Sequence, residues 1–424
     1  MSASVIEVVA WGKTVGAVAF DPTLNAQVFE YDRKWIEAGI ELAPLQMPTN
    51  SSRKRFSFPS LPESYKGLPG LLADALPDDF GNALIDAWMV TEGKSKTSVT
   101  VLDRLAYMGK RGMGALEFKP PTKVKKAAKD ALNMSALVEA ARAVLKGDFA
   151  GDNHAQAALA QIIQVGTSAG GARAKAVIAW NPDTQEIRSG QFDTPPGFEH
   201  WLLKFDGVGK DMELGTSANY GRIEYAYHLM AIAAGIEMTP CRLLGENGRA
   251  HFMTKRFDRD GNEKLHTQSL CAIDHLDYKQ RATHAYEQLF EVIDRLKLGD
   301  EALEQAYRRM AFNVIARNCD DHTKNHGFLL PKGSTWRLSP AYDVTHAYNP
   351  DGAWTYQHLM SVNGKFDGIL EADLITVAER FSVPRAKEGL REVQGAVQRW
   401  AEFAELAGLS GAHTKRVAED FRLL

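Results

Sequence analysis

Cysteine is scarce: Cys241, Cys271 and Cys319 are the only three in 424 residues, far apart and without a CxxC pair. This excludes a disulfide framework and gives no sign of a structural zinc site, so a reducing cytoplasm is the expected setting. No apolar run approaches the roughly 18 residues a membrane span requires. The N-terminus shows no basic segment leading into a sustained apolar stretch, so neither a span nor export is expected. An excess of either charge is also missing. With 50 Lys and Arg against 53 Asp and Glu, the formal net charge of -3 offers no global electrostatic reason to bind nucleic acid or a membrane surface. There is no internal repeat and no low-complexity tract. What remains is ordinary globular composition, in a chain long enough to expect two or three domains.

Against these absences stands one dense stretch, NVIARNCDDHTKNHGFLL from Asn313 to Leu330, followed by LSPAYDV ending at Val344. It places Asp320, then Asn325, then Asp343 in the order used by phosphoryl-transfer enzymes of the protein-kinase type. In that chemistry one aspartate accepts the proton of an attacking hydroxyl. The asparagine and the second aspartate hold the metal ions that neutralise the transferring phosphate. The apolar run Gly327 to Leu330, the turn-like Pro331 to Ser334 and a second run through Trp336 and Leu338 read as a β-hairpin. Such a hairpin would return Asp343 toward Asn325. The preceding amphipathic stretch, roughly Glu301 to Ala316, reads as a helix.

A kinase-like site also needs donors for phosphates. Val165 to Lys175, VGTSAGGARAK, is Gly-rich and carries Arg173 and Lys175, although it matches neither GxxxxGK[ST] nor GxGxxG. Lys204 lies in the apolar strand WLLKF. Glu224 follows about twenty residues later, on an expected helix from Tyr220 to Ala234, which is the lysine–glutamate pairing of a kinase small lobe. His251 to Arg259, HFMTKRFDR, reads as a last strand entering an interlobe connection. Backbone near Lys255 and Phe257 would meet an adenine edge, with Asp258 near the ribose.

The chain from Val5 to about Lys119 alternates short β-rich runs with turns, then turns helical from Leu71 to Met89. Pro120, Pro121 and lysines 123, 125, 126 and 129 read as a linker, with a helix opening near Ser135. Strands dominate from Ile162 to about Arg256 and helices beyond Arg259. The expectation is an α+β, bilobal protein-kinase-like fold. It has a β-rich N-terminal lobe with an added small β-containing subdomain, and a mainly helical C-terminal lobe, divided as 1–120, 121–257 and 258–424.

GAVAF, FEYDRKWI, SAGGARAK, LLKFD, KRFDR, NCDDHTKN and LSPAYDV together resemble the HipA family, bacterial serine/threonine kinases that act as toxins in toxin–antitoxin pairs. The resemblance implies ATP and magnesium, with Asp320 as catalytic base and Asn325 and Asp343 as magnesium ligands. It implies that His322, Lys324 and Lys204 line the nucleotide site. Gly170, Gly171, Ala172, Arg173 and Lys175 would form the phosphate loop, and Ser168 would match a serine that relatives autophosphorylate. It further implies a small dimeric helix-turn-helix antitoxin of the HipB type, contact with DNA only through that partner, and a protein substrate such as an aminoacyl-tRNA synthetase. Two other readings fit parts of the sequence. One is a metal-dependent hydrolase using Asp320, Asp321, His322 and His326, and the other is a kinase-like corepressor scaffold without catalysis.

Overall fold

A computed structural model describes residues 4–77, 79–91, 93–122, 132–146, 162, 174–208, 210–211, 215–216 and 219–424. Ser168, Gly170, Gly171, Ala172 and Arg173 lie outside the described residues, as do the lysines of the expected linker. The chain forms two compact units, each discontinuous in sequence. The first comprises Met1–Gly209, Lys255–Asp277 and Leu329–Thr335, and the second comprises Lys210–Thr254, Tyr278–Phe328 and Trp336–Leu424.

The first unit is built on an antiparallel sheet of Arg55–Phe56, Ala26–Tyr31, Lys13–Asp21, Val5–Ala10 and Leu116–Lys119, in that spatial order. Its first hairpin turns in two residues, Trp11 and Gly12, both at positive φ, the geometry that matches the twist of paired strands. Gly16 allows the next pairing, because a Cβ there would lie 2.2 Å from the Glu30 carbonyl oxygen. The helical stretch expected from Leu71 is two helices, Gly70–Ala73 and Asp79–Thr91, separated around Pro77, which cannot donate to a helix. Val101–Met108 starts with a Thr100/Asp103 capping box. A second set of antiparallel strands, Ile187–Ser189, Lys175–Trp180 and Glu199–Lys204, sets Lys175 directly opposite Lys204.

Helices dominate the second unit. Tyr220–Ala233, Asp300–Ile315, Ala386–Gln398 and Trp400–Leu406 pack around a cluster in which the Tyr227 ring meets Phe312, Trp400 and Phe421 edge-on. Fully burying an aromatic side chain, as for Tyr227 and Phe312, contributes about 1.5–3 kcal/mol through removal of apolar surface from water. The Tyr227 hydroxyl is satisfied by donating to the Ala316 carbonyl at 2.6 Å, which fixes the helix end from which the acidic stretch departs. Cys241–Glu246 and Arg249–Lys255 form a hairpin. His284–Ala285 and Met360–Ser361 pair in parallel. Among the described residues no helix is long and apolar enough to cross a membrane.

Candidate active site

Asp300–Ile315 ends at Ala316, and Arg317 turns the chain through a left-handed backbone (φ 54°). Asn318 and Cys319 are then fixed against Ala347: the Cys319 N–H donates to the Ala347 carbonyl at 2.9 Å, and the Ala347 N–H to the Arg317 carbonyl at 3.2 Å. Asp320 follows with 42 % of its side chain exposed, whereas Asp321 is buried. A single turn of 3₁₀ helix, Thr323–Asn325, folds Asn325 back so that its Nδ2 donates to the Asp320 carbonyl at 2.8 Å. With Nδ2 committed, Oδ1 is the amide oxygen left for a cation.

Asp343 reaches the same place by the return of the chain after Gly327–Leu330. The Ser339 N–H donates to the Gly327 carbonyl at 2.9 Å, and the Tyr342 hydroxyl to the Lys324 carbonyl at 2.9 Å. Gly327 makes room for this, since a Cβ there would sit 3.0 Å from the Tyr342 hydroxyl and 3.1 Å from Ser339 Oγ. Asp343 itself takes a left-handed conformation (φ 54°), which aspartate tolerates better than most residues.

Burial first, then the negative charges of Asp343 and Asp321, push the Asp320 carboxyl above the usual carboxylate range. His322, whose Nε2 lies 3.8 Å away, and the Trp354 indole, donating to Oδ1 at 2.9 Å, oppose the rise. Water screens a side chain this exposed, so the shift is smaller than that of a sealed group. A carboxyl group raised by neighbouring negative charge favours a cation beside it. Asn325 and Asp343 offer the hard oxygen donors magnesium takes, so these residues fit that ion. His322 and Lys324 flank Tyr278, the first with ring centroids 5.2 Å apart, the second with Nζ 5.2 Å from the ring centre.

Behind Asp320 runs a buried polar chain that sequence reasoning missed. Asn318 Nδ2 donates to Asn313 Oδ1, Asn313 Nδ2 to the Tyr286 hydroxyl, and that hydroxyl to Asp321 Oδ2, each at 2.9 Å. His358 Nδ1 lies 2.8 Å from the same oxygen, and the Leu359 N–H donates to Oδ1 at 2.8 Å. Burial alone would raise Asp321, but His358, Leu359 and Tyr286 outweigh it and hold the carboxylate below its usual range. Burial would lower His358. The Cys319 sulfur and Asp321 outweigh it and push the imidazole up to about 10. Asp321 thus spends both oxygens within the protein, and burial drops His326 to about 4. Among the described residues no three His, Cys, Asp or Glu side chains are arranged to hold a metal.

The first unit carries the other candidates. Lys204 and buried Lys175 face one another across their strand pair, and Glu224, in the second unit, is buried in its helix. Lys255 pairs with Glu199 at 2.6 Å, and Phe257 is half-buried. Asp258 differs from expectation. Fully buried, it accepts from Arg256 through Nε at 2.8 Å and Nη2 at 2.7 Å, from Arg259 Nη1 at 2.7 Å and from the Gly114 N–H at 2.7 Å. Burial alone would raise its carboxyl, but the two guanidinium groups hold it far below the usual range. With both oxygens engaged, Asp258 is a structural anion rather than a ribose contact.

Comparison with known proteins matches residues 167–401 to the family described as HipA-like C-terminal domain and residues 6–119 to the HipA N-terminal domain. No curated protein sequence is similar enough to count as a match. Among solved structures the chain is similar to HipA of Shewanella oneidensis MR-1 in its complex with HipB and operator DNA. That likeness has a TM-score of 0.64 at 15% identity, covering 98% of this chain and 94% of that one. It shows a shared fold of mixed helices and sheets. A partial likeness to the Helicobacter pylori proinflammatory kinase CtkA has a TM-score of 0.34 at 11% identity, over 53% of this chain and 88% of the other.

Proposed function

This chain belongs to the HipA family, and from that premise and the cluster around Asp320 we propose that it is an ATP-dependent serine/threonine protein kinase acting as the toxin of a toxin–antitoxin pair. The observation that carries the reading is local. Asn325 is hydrogen-bonded to the backbone of Asp320, and Asp343 lies close enough to raise the Asp320 carboxyl, so the three oxygen-bearing groups the chemistry needs share one place.

In the proposed reaction Asp320 accepts the proton of a serine or threonine hydroxyl. The hydroxyl oxygen forms its bond to the γ-phosphorus of ATP as the bond to the ADP oxygen breaks. Asn325 and Asp343 would hold magnesium, which supplies charge neutralisation at the phosphates. His322 and Lys324 line this site. Lys204, Lys175 and the Gly170 to Arg173 loop are assigned to the phosphates, Glu224 to orienting Lys204, and backbone near Lys255 and Phe257 to the adenine edge. Ser168 is proposed as a self-phosphorylation site that switches the enzyme off, since a phosphate adds about -1.5 to -2 charge where ATP phosphates must sit.

A small dimeric helix-turn-helix protein of the HipB type is the proposed antitoxin, linking this near-neutral chain to operator DNA. The similar structure from S. oneidensis, solved with HipB and operator DNA, supports that partner. A translation component such as an aminoacyl-tRNA synthetase is the proposed substrate, and the cytoplasm the proposed compartment.

The test uses purified protein with γ-labelled ATP and magnesium, beside expression of the same variants without an antitoxin. Label transfer and slowed growth are expected for the wild type and are expected to be lost together in Asp343→Asn. Equal growth arrest by both proteins at matched levels would refute the catalytic toxin.

A further inference from the structure

Both roots of the segment between Tyr348 and Gln357 are fastened to the residues on either side of Asp320. At one root Ala347 exchanges backbone hydrogen bonds with Arg317 and Cys319. At the other, His358 and the Leu359 N–H hold Asp321. The segment is also closed on itself: the Asn349 N–H donates to the Thr355 carbonyl at 3.3 Å, and the Gly352 N–H to the Asn349 carbonyl at 3.1 Å. Arg281 donates to the Ala353 carbonyl. From this braced loop Trp354 reaches back 34 residues in sequence to place its indole N–H 2.9 Å from Asp320 Oδ1.

We propose that Trp354 is the positioning residue of the catalytic base, its N–H fixing one carboxylate oxygen of Asp320 so that the other, Oδ2, is presented to the incoming hydroxyl. The inference rests on Asp320 being that base. A carboxylate turns easily about its terminal torsion, and a side chain 42 % exposed is not held by packing. A hydrogen bond to Oδ1 sets the plane of the group, and the brace at Cys319 and Asp321 fixes the donor relative to the acceptor. Geometry of this kind is what converts a nearby base into an aligned one. Indole is suited to the task because its one polar group donates and cannot compete for the substrate proton. His322, also near this carboxylate, stands 3.8 Å from Oδ1, beyond hydrogen-bond length.

The experiment follows labelling of the full chain by γ-labelled ATP with magnesium, comparing wild type, Trp354→Phe and a protein with benzothienylalanine at position 354, which keeps the indole shape and lacks the N–H. The expected result is a rate constant at saturating ATP lower by about tenfold or more in both variants, as for loss of a hydrogen bond to a charged group. The ATP concentration for half-saturation and the thermal midpoint should stay close to wild type, a split that a purely structural role would not give. Wild-type rates in the benzothienylalanine protein overturn the inference and leave the kinase reading standing. A wild type that transfers no label, or transfers it equally as Asp320→Asn, overturns the kinase reading and this inference with it.

Discussion

Asp258 and Asp320 each stand in a motif that drew the eye in the sequence, KRFDR and NCDDHTKN, and the structure treats them in opposite ways. Asp258 is sealed from solvent and held by two arginines and a backbone N–H. Asp320 is partly open, held by one indole and pressed upward by neighbouring carboxylates. The lesson concerns saturation. An acid whose oxygens are all spoken for stabilises a fold, while an acid with an oxygen to spare, beside like charges, is equipped to accept a proton or a cation.

The sharpest break between the two comes from neutralising each. Asp320→Asn should lower phosphoryl transfer by about two to four orders of magnitude while moving the thermal midpoint little. Single-turnover labelling beside a melting curve checks both halves. Asp258→Ala should do the reverse, because it leaves Arg256 and Arg259 buried without their anion. A stability loss of about 3–5 kcal/mol is expected in denaturant titration. Any folded fraction should retain near-normal rate per active molecule.

A third test lies between these extremes, at the buried Asp321–His358 pair. The folded imidazole is raised to about 10 from an unfolded value of about 6.5, so its contribution is complete below about pH 6.5. That contribution declines as pH rises toward about 10. Asp321, held low, contributes above its unfolded value and loses that contribution in acid. His358→Gln should therefore be much less stable than wild type near pH 6, with the gap narrowing steadily toward pH 10. Thermal midpoints across that range would show it, and a constant gap would remove the assigned charge state.

The smallest effect is expected at Lys255, whose partly exposed pair with Glu199 sits beside the sealed aspartate in the same motif. Lys255→Ala should cost within about 0–1 kcal/mol. Denaturant midpoints for Lys255→Ala and Asp258→Ala, measured together, would separate the surface half of KRFDR from its buried half.

The parts of this molecule written locally were readable. The helix expected near Glu301 to Ala316 is Asp300–Ile315, because apolar spacing carries the 3.6-residue period. The strands Val5–Ala10, Lys13–Asp21 and Ala26–Tyr31 fall in the stretch expected to alternate short β-rich runs with turns. Asp320, Asn325 and Asp343 stood out by order and spacing, and a tight turn plus a short return brings them to one end of the helix Asp300–Ile315. Asp258 was misread because charge alternation in KRFDR looks the same whether the arginines face solvent or clasp the acid between them. Trp354 and His358 carried no signal at all. They meet Asp320 and Asp321 across 34 and 37 residues of chain, and no periodicity marks such a contact.

The two fastened roots at Ala347 and His358–Leu359 give the intervening loop the character of an exchangeable cassette. One end is pinned by backbone groups and the other by the His358 imidazole and the Leu359 N–H, while the loop between them carries an exposed Tyr356 and the charge of Asp351. Changes of length or side chain between those roots alter the surface beside Asp320 while the roots stay in place. For the proposed kinase, rewriting fewer than ten residues there would change the surface offered to a substrate, provided one ring with a donor still reaches Asp320.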